Sequence, residues 1–163
     1  MPTITKNNGV FSNIIIESAV FAAPEKVKKY TDGKVVFEAY LQEADAKNQN
    51  KRVYPRRVLD VAMHKLDKKI ERRAFLGELD HPITSDQIRQ TTVMYQNVSH
   101  IIREWGWDGN LIKGVVETTP YSQSGKTLSG LIYDRVPVGF SLRGLANVED
   151  RGGHQEVLDP LII

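Results

Sequence analysis

Six consecutive residues constrain this chain more than any other stretch: Gly77-Glu78-Leu79-Asp80-His81-Pro82 joins two carboxylates, a histidine and a proline to a glycine. The apolar Ala74-Phe75-Leu76 before them predicts a strand that leads into this 77–82 block. Pro82 cannot donate a ladder hydrogen bond, so we expect it to end that strand and to leave His81 at its edge. A histidine there can meet a nucleophile that another strand supplies.

The composition narrows the function without naming it. With 163 residues the chain is long enough to bury a core, and we expect one domain. With a net charge of +2 and no long basic run, the chain gives little indication of a nucleic-acid partner. Cysteine is absent, which excludes disulfides, thiolate metal sites and a cysteine nucleophile. No apolar run reaches the roughly 18 residues of a membrane span, so we expect no membrane partner, and no motif indicates a cofactor or metal.

Apolar periodicity predicts an α+β fold in which helices flank a small, mainly antiparallel β-barrel or curved sheet. The clearest helix opens at Pro55, because proline fits a first helical turn, and carries one apolar stripe from Val58 to Ile70. A second helix is predicted to start with Thr119 as its N-cap and to run to about Arg135. We expect a flexible arm over residues 1–9 and a turn over 24–33. Strands are predicted over 10–20, 34–43, 91–105, 111–118, 138–144 and 154–163.

Ser141 is the best placed nucleophile in a chain without cysteine. Gly139 and Gly144 flank it and permit close backbone approach. Arg143 lies two residues further on, so in a strand it shares the face of Ser141 and could stabilise an oxyanion or hold an acidic substrate. The alternative is that Ser141 is merely a small residue in a glycine-flanked strand, and that a backbone carbonyl satisfies His81.

Several stretches together resemble the prohead (maturation) proteases of T-even-like tailed phages. They cover about residues 40 to 146 in the expected order, and the 77–82 block is the most specific of them. The family usually has a second serine before the arginine, where this chain has Leu142. The other matching pieces are Gln-Glu-Ala-Asp-Ala-Lys-Asn-Gln-Asn-Lys-Arg-Val-Tyr-Pro (42–55), Thr119-Pro120 with Gly125, and Gly139-Phe-Ser-Leu-Arg-Gly144.

This resemblance implies a serine endopeptidase with a fold similar to herpesvirus assemblin. It assigns the general base to His81 and the nucleophile to Ser141. Arg143 is a candidate helper at the oxyanion or substrate site. Members of the family cleave scaffold and capsid proteins after glutamate at Leu/Ile-x-Glu sites, inside the assembling prohead in the host cytoplasm, and they also cut themselves.

The third member of a triad stays open at this level. In a strand, Asp80 would point away from the face of His81. A hairpin centred on Gly152 would pair Ser141 with about residue 163, so an orienting histidine would lie at or beyond the chain end and the C-terminal strand would be truncated. The candidates within the chain are Glu78, Asp80, Glu117, Glu149, Asp150, His154 and Asp159.

Three other functions compete with the protease. A zinc enzyme could draw on four histidines, but no His-Glu-x-x-His spacing occurs. A catalytically inactive capsid-assembly or scaffold-binding module could use the same fold. A nucleic-acid role rests on the basic face of the 56–73 helix alone. The candidate zinc ligands are His64, His81, His100, His154, Glu78 and Asp80.

Overall fold

Three antiparallel or mixed sheets and four helices make up the part of the chain that the structure describes. The computed structural model describes residues 24–163, together with the backbone of residues 13–18. The predicted 1–9 arm lies outside these residues. In chain order the elements are β1 (Asn13–Ser18), β2 (Glu25–Lys29), β3 (Val35–Glu43), β4 (Arg52–Val53), α1 (Arg56–His64), α2 (Asp67–Glu71), β5 (Leu76–Glu78), α3 (Gln87–Thr91), a 3₁₀ turn (Tyr95–Asn97), β6 (Val98–Asp108), β7 (Leu111–Thr118), α4 (Gln123–Tyr133), β8 (Ser141–Ala146), β9 (Val148–Asp150) and β10 (Gln155–Val157).

The largest sheet is antiparallel and has the strand order β2-β3-β7-β6-β5. Its centre is the β6–β7 hairpin, where Asp108 pairs with Leu111 around Gly109, whose φ is +59°. A two-residue Gly-Asn loop with a positive φ at its glycine matches the right-handed twist of the strands. The α+β prediction is therefore confirmed in its open-sheet form, since the described strands form no closed barrel.

Two smaller sheets complete the architecture. β1 and β8 form an antiparallel pair in which Ser141 lies opposite Ser18. β10 pairs antiparallel with β9 and parallel with β4. The predicted hairpin near Gly152 is thus present, and β10 continues it beside β9 and β4. The last residues then run antiparallel to β8, as predicted, but Leu145 lies opposite Ile162, so the register is shifted by about three residues from the predicted pairing of Ser141 with residue 163. Only a single bridge, Leu145 to Ile162, joins β8 to the last residues.

Two apolar clusters hold the elements together. The stripe predicted after Pro55 is buried beneath α1, where Tyr54, Leu59 and Met63 pack with Ile112 of β7. The second cluster packs Leu128 and Ile132 of α4 onto strands β3, β6 and β7. No helix among the described residues has the length and apolar character needed to cross a membrane.

Several helices and strands begin or end at residues other than those predicted. The 24–33 segment contains β2, because it can pair with the edge of β3. The first helix is interrupted after His64, where the N–H of Leu66 bonds the carbonyl of Met63 three residues back. The predicted 91–105 strand begins only at Val98, because α3 and the 3₁₀ turn occupy the residues before it.

The second helix begins three residues later than predicted. Ser122 is its N-cap and accepts a hydrogen bond from the N–H of Gly125 at 2.9 Å. Thr119 instead contacts Ser122, with their hydroxyl oxygens 2.7 Å apart. The Thr-Pro pair therefore forms the turn before the helix, and a correctly placed cap needs the backbone geometry that the sequence pattern does not supply.

Two glycines of α4 give a matched stability prediction. A methyl group on Gly125 would lie 1.8 Å from the carbonyl oxygen of Thr119, whereas one on Gly130 would meet nothing within 4 Å. Gly125→Ala should therefore lower the free energy of unfolding by about 2 kcal/mol or more. Gly130→Ala should raise it by about 0.5–1 kcal/mol, because alanine favours helix. Urea denaturation measures both, and equal effects at the two positions would contradict the packing of α4 on Thr119.

Candidate active site

The structure brings His81 and Ser141 into direct contact. Ser141 Oγ is within hydrogen-bonding distance of His81 Nε2, although 60 residues separate them in the sequence. Both side chains are half-buried and line a cavity of about 1030 Å³. The two residues singled out in the sequence therefore form one pair, open to a cavity large enough for part of a polypeptide.

His81 reaches the serine through a turn rather than from a strand end. β5 stops at Glu78, and Asp80 has a φ of +61°. Aspartate tolerates this left-handed conformation better than most residues. The prediction that the strand continues to Pro82 is therefore wrong, but its consequence for His81 is preserved because the turn directs the chain towards β8.

Ser141 owes its position to the alternation of side chains along β8. Leu142, Gly144 and Ala146 are buried, whereas Ser141 and Arg143 are half-buried on the other face. A side chain at Gly144 would lie 2.4 Å from the carbonyl oxygen of Ile162, so this glycine allows close backbone approach. The predicted common face of Ser141 and Arg143 is present in the structure.

Glu78 lies beside this pair and joins two arginines. Its carboxylate, with a side-chain exposure of 2%, accepts hydrogen bonds from Arg89 at 2.7 and 3.2 Å. It also forms an ion pair with Arg143, and the N–H of Met94 donates to it at 3.4 Å. Arg143 additionally donates to the carbonyl of Gln90 at 3.4 Å. Its guanidinium is therefore held by protein groups at the edge of the cavity.

Sequence reasoning missed Arg89 altogether. It lies on α3, in a stretch for which the sequence predicted neither helix nor strand, and is brought to Glu78 only by the fold. A usable signal was present: Asp86 caps α3 by accepting from the N–H of Ile88 at 2.9 Å and of Arg89 at 3.4 Å. An Asx cap of this type is visible in a sequence.

The charges of the site act on His81 in a definite direction. Burial lowers the pKa of His81 and the positive charge of Arg143 lowers it further, while Asp80 and Glu78 oppose these effects. Burial alone would raise the pKa of Glu78, but the hydrogen bonds from Arg89 and Arg143 bring it below its usual value. At neutral pH the site therefore presents an ionised carboxylate and an uncharged imidazole, which can accept a proton from a serine hydroxyl.

A second histidine, His100, lies beside the glycine that opens the 77–82 block. His100 packs edge-on against Phe140 at 5.4 Å between ring centroids, and its Nδ1 lies 2.8 Å from Ser99 Oγ. Burial lowers the pKa of His100 to about 4, which keeps its ring neutral. A methyl group on Gly77 would lie 2.0 Å from His100 Nε2, so the glycine that opens the 77–82 block makes room for this ring.

Of the candidates for a third triad member, Glu78 and Asp80 lie near His81 and act on it through their charges. Within the described ranges, no carboxylate forms a hydrogen bond with His81 Nδ1, and Asp80 acts on the imidazole through its charge. Glu117 pairs with Arg73 at 2.7 Å, and Glu149 pairs with Arg151 at 2.9 Å. Across residues 24–163 no group of three or more His, Asp or Glu side chains is close enough to hold a metal ion.

Comparison with known proteins places the chain in a family. A family model described as "prohead core protein serine protease" matches residues 5–161. The chain belongs to this family. A curated relative, the prohead core protein protease of Enterobacteria phage T4, is 29% identical over 117 residues. That match covers 69% of this chain and 51% of the relative, so the chain spans about half the length of that protein.

A solved structure shares the fold. The bacteriophage T4 capsid assembly protease superposes with a TM-score of 0.74 at 21% sequence identity. The match covers 93% of this chain and 94% of that structure. The predicted phage prohead protease family is therefore confirmed, and so is the α+β architecture.

The charge of Arg143 gives a prediction for the titration of His81. Arg143→Gln should raise the pKa of His81, because a nearby cation disfavours the imidazolium and its removal also leaves Glu78 less neutralised. Arg143→Lys keeps the charge and should raise this pKa less. An NMR titration of the His81 ring measures the change. The same pKa in the glutamine variant as in the parent would show that the charge of Arg143 does not act on the imidazole.

Proposed function

We propose that this protein is a serine endopeptidase of phage prohead maturation, in which Ser141 is the nucleophile and His81 the general base. The observation that supports this most directly is the contact between Ser141 Oγ and His81 Nε2 at the wall of the cavity. Membership of the prohead core protein serine protease family supports the same assignment. The proposed substrates are scaffold and capsid proteins inside the assembling prohead, in the host cytoplasm.

The chemistry follows from the pair. His81 takes the hydroxyl proton of Ser141 as the oxygen attacks the scissile carbonyl, and then gives that proton to the leaving amine. Water reverses the sequence and releases the acyl group from Ser141. A lowered pKa keeps His81 uncharged and available as a base before the attack. The imidazolium formed during the attack has Glu78 and Asp80 near it, and both carboxylates favour its charge.

Arg143 is proposed to act on the oxyanion or on an acidic substrate side chain. It lies on the face of Ser141, and Glu78 is shared between Arg143 and Arg89, so one positive charge remains uncompensated by that carboxylate. A residual cation beside the nucleophile favours an anionic group of the substrate. This agrees with cleavage after glutamate at Leu/Ile-x-Glu sites.

Substitution of the pair tests the enzyme. Ser141→Ala and His81→Ala should each lower cleavage of a Leu/Ile-x-Glu peptide by on the order of 10⁴-fold, because each removes a group that acts on the reacting bond. Ser124→Ala is the control, since Ser124 is a half-buried serine of α4 that lies outside the cavity. A serine-directed fluorophosphonate should label Ser141.

The same experiment distinguishes the protease from an inactive assembly module. Such a module would bind scaffold protein with unchanged affinity in all three variants and would show neither cleavage nor labelling. Near-normal cleavage by either pair variant would refute the assignment of that residue.

The proposed activity includes self-cleavage, and the fold limits where the first cut can fall. All four Leu/Ile-x-Glu stretches lie in strands: residues 15–17 in β1, 41–43 in β3, 76–78 in β5 and 102–104 in β6. A paired strand is not an accessible extended substrate. β1 pairs with β8 alone, so its release breaks one ladder, whereas β3 and β6 are paired on both sides. β5 is also an edge strand, but its Glu78 is buried and paired with Arg89 and Arg143.

Incubation of the full chain should therefore give a first fragment that begins at Ser18. Mass spectrometry of the new N-termini identifies it. The variant Glu17→Gln should no longer yield this fragment but should cleave an added peptide as well as the parent does. Initial cleavage after Glu43, Glu78 or Glu104 would contradict the order of release.

A further inference from the structure

The segment between the 77–82 block and β6 has an unusual surface. Residues 83–95, here called the 83–95 segment, contain five of the ten large apolar side chains that are exposed among the described residues. The segment is only 13 residues long, so this concentration exceeds what scattered surface residues give. The five are Ile83, Ile88, Val93, Met94 and Tyr95.

The 83–95 segment borders the cavity that contains Ser141. Val93 and Tyr95 line the cavity together with Gln90, and Val138 and Phe140 contribute apolar surface elsewhere on its wall. The apolar exposure is therefore continuous with the proposed reaction site. An extended polypeptide bound across Ser141 would bury part of this surface, and the burial of aliphatic groups would favour binding.

One carboxylate attaches this segment to the sheet. Arg89 donates two hydrogen bonds to Glu78, and the N–H of Met94 donates a third at 3.4 Å. Arg143 reaches the carbonyl of Gln90 from β8, and it is itself paired with Glu78. These polar contacts between the 83–95 segment and the sheets thus converge on Glu78 and its partner.

We propose that the 83–95 segment is an apolar wall of the substrate cleft and that the Glu78–Arg89 ion pair positions it beside Ser141. The ligand is an extended polypeptide with an apolar side chain near the cleaved bond. This inference rests on the proposed function. Arg89 is a positioning residue in this scheme, because it acts through the segment that carries it.

Kinetics can separate positioning from general stability. Arg89→Met removes the ion pair but leaves Glu78 its contact with Arg143, and it should raise KM for a polypeptide substrate by about tenfold or more. The rate of Ser141 labelling by a small fluorophosphonate should fall much less, because that probe does not span the cleft. Arg89→Lys should recover part of the lost affinity.

Arg73→Met is the matched control. It breaks a second ion pair at 2.7 Å to a buried carboxylate, Glu117, and leaves Arg103 in place at 3.2 Å. This variant should lower Tm without raising KM. A second pair of variants tests the apolar wall directly: Val93→Asn should raise KM, and Val136→Asn should not, although the two valines are 41% and 39% exposed.

The outcomes distinguish this inference from the function on which it rests. Absence of Ser141 labelling in the parent protein would overturn both. Labelling with unchanged KM in Arg89→Met and Val93→Asn would overturn the cleft wall alone, and so would an equal rise of KM in Arg73→Met. If Arg89→Met does not fold, the comparison of Val93→Asn with Val136→Asn decides.

Discussion

The buried carboxylate of Glu78 is the interaction on which the site depends. An ionised carboxylate removed from water costs several kcal/mol unless charge and hydrogen bonds compensate it. Here Arg89 supplies a fork with contacts at 2.7 and 3.2 Å, Arg143 supplies a second guanidinium, and a backbone N–H supplies a fourth contact. Because these groups come from different elements, the cost of exposing or unpairing Glu78 ties β5, α3 and β8 together. Ser141 begins one of these elements, and His81 follows another by three residues.

A second buried carboxylate, Glu117, is likewise paired with arginines, elsewhere in the large sheet. It is 6% exposed on β7 and is approached by Arg73 at 2.7 Å and Arg103 at 3.2 Å. Burial would raise the pKa of Glu117, but the hydrogen bonds from Arg73 hold it below its usual value. Arg73 follows α2 with a φ of +58°, so this pair fixes the return of the chain from α2 towards β5. The chemistry of the two carboxylates is alike, but Glu78 borders the cavity that contains Ser141 and Glu117 does not.

The sequence is informative where one local pattern decides the structure. The apolar stripe after Pro55 predicted α1, because helical periodicity acts over a few residues. It was harder to predict which strands pair with each other: the last strand lies beside β4 and β9, whereas β1 lies beside β8. Such pairings depend on contacts between residues distant in sequence. The ion pair of Arg89 with Glu78 was missed for the same reason, whereas the 77–82 block around His81 was recognisable from its own residue types.

The leucine beside the proposed nucleophile has a physical explanation. The resemblance found in the sequence leads one to expect a second serine where this chain has Leu142, so Ser141 is the one serine of the 139–144 motif. In β8 Leu142 points away from Ser141 and is buried in the cluster beneath α1. A leucine there adds apolar contact to the core, and a hydroxyl at this position would point away from the face of Ser141 and Arg143. Leucine at position 142 therefore affects the packing of the core. Because side chains alternate along β8, it leaves the face of Ser141 and Arg143 unchanged.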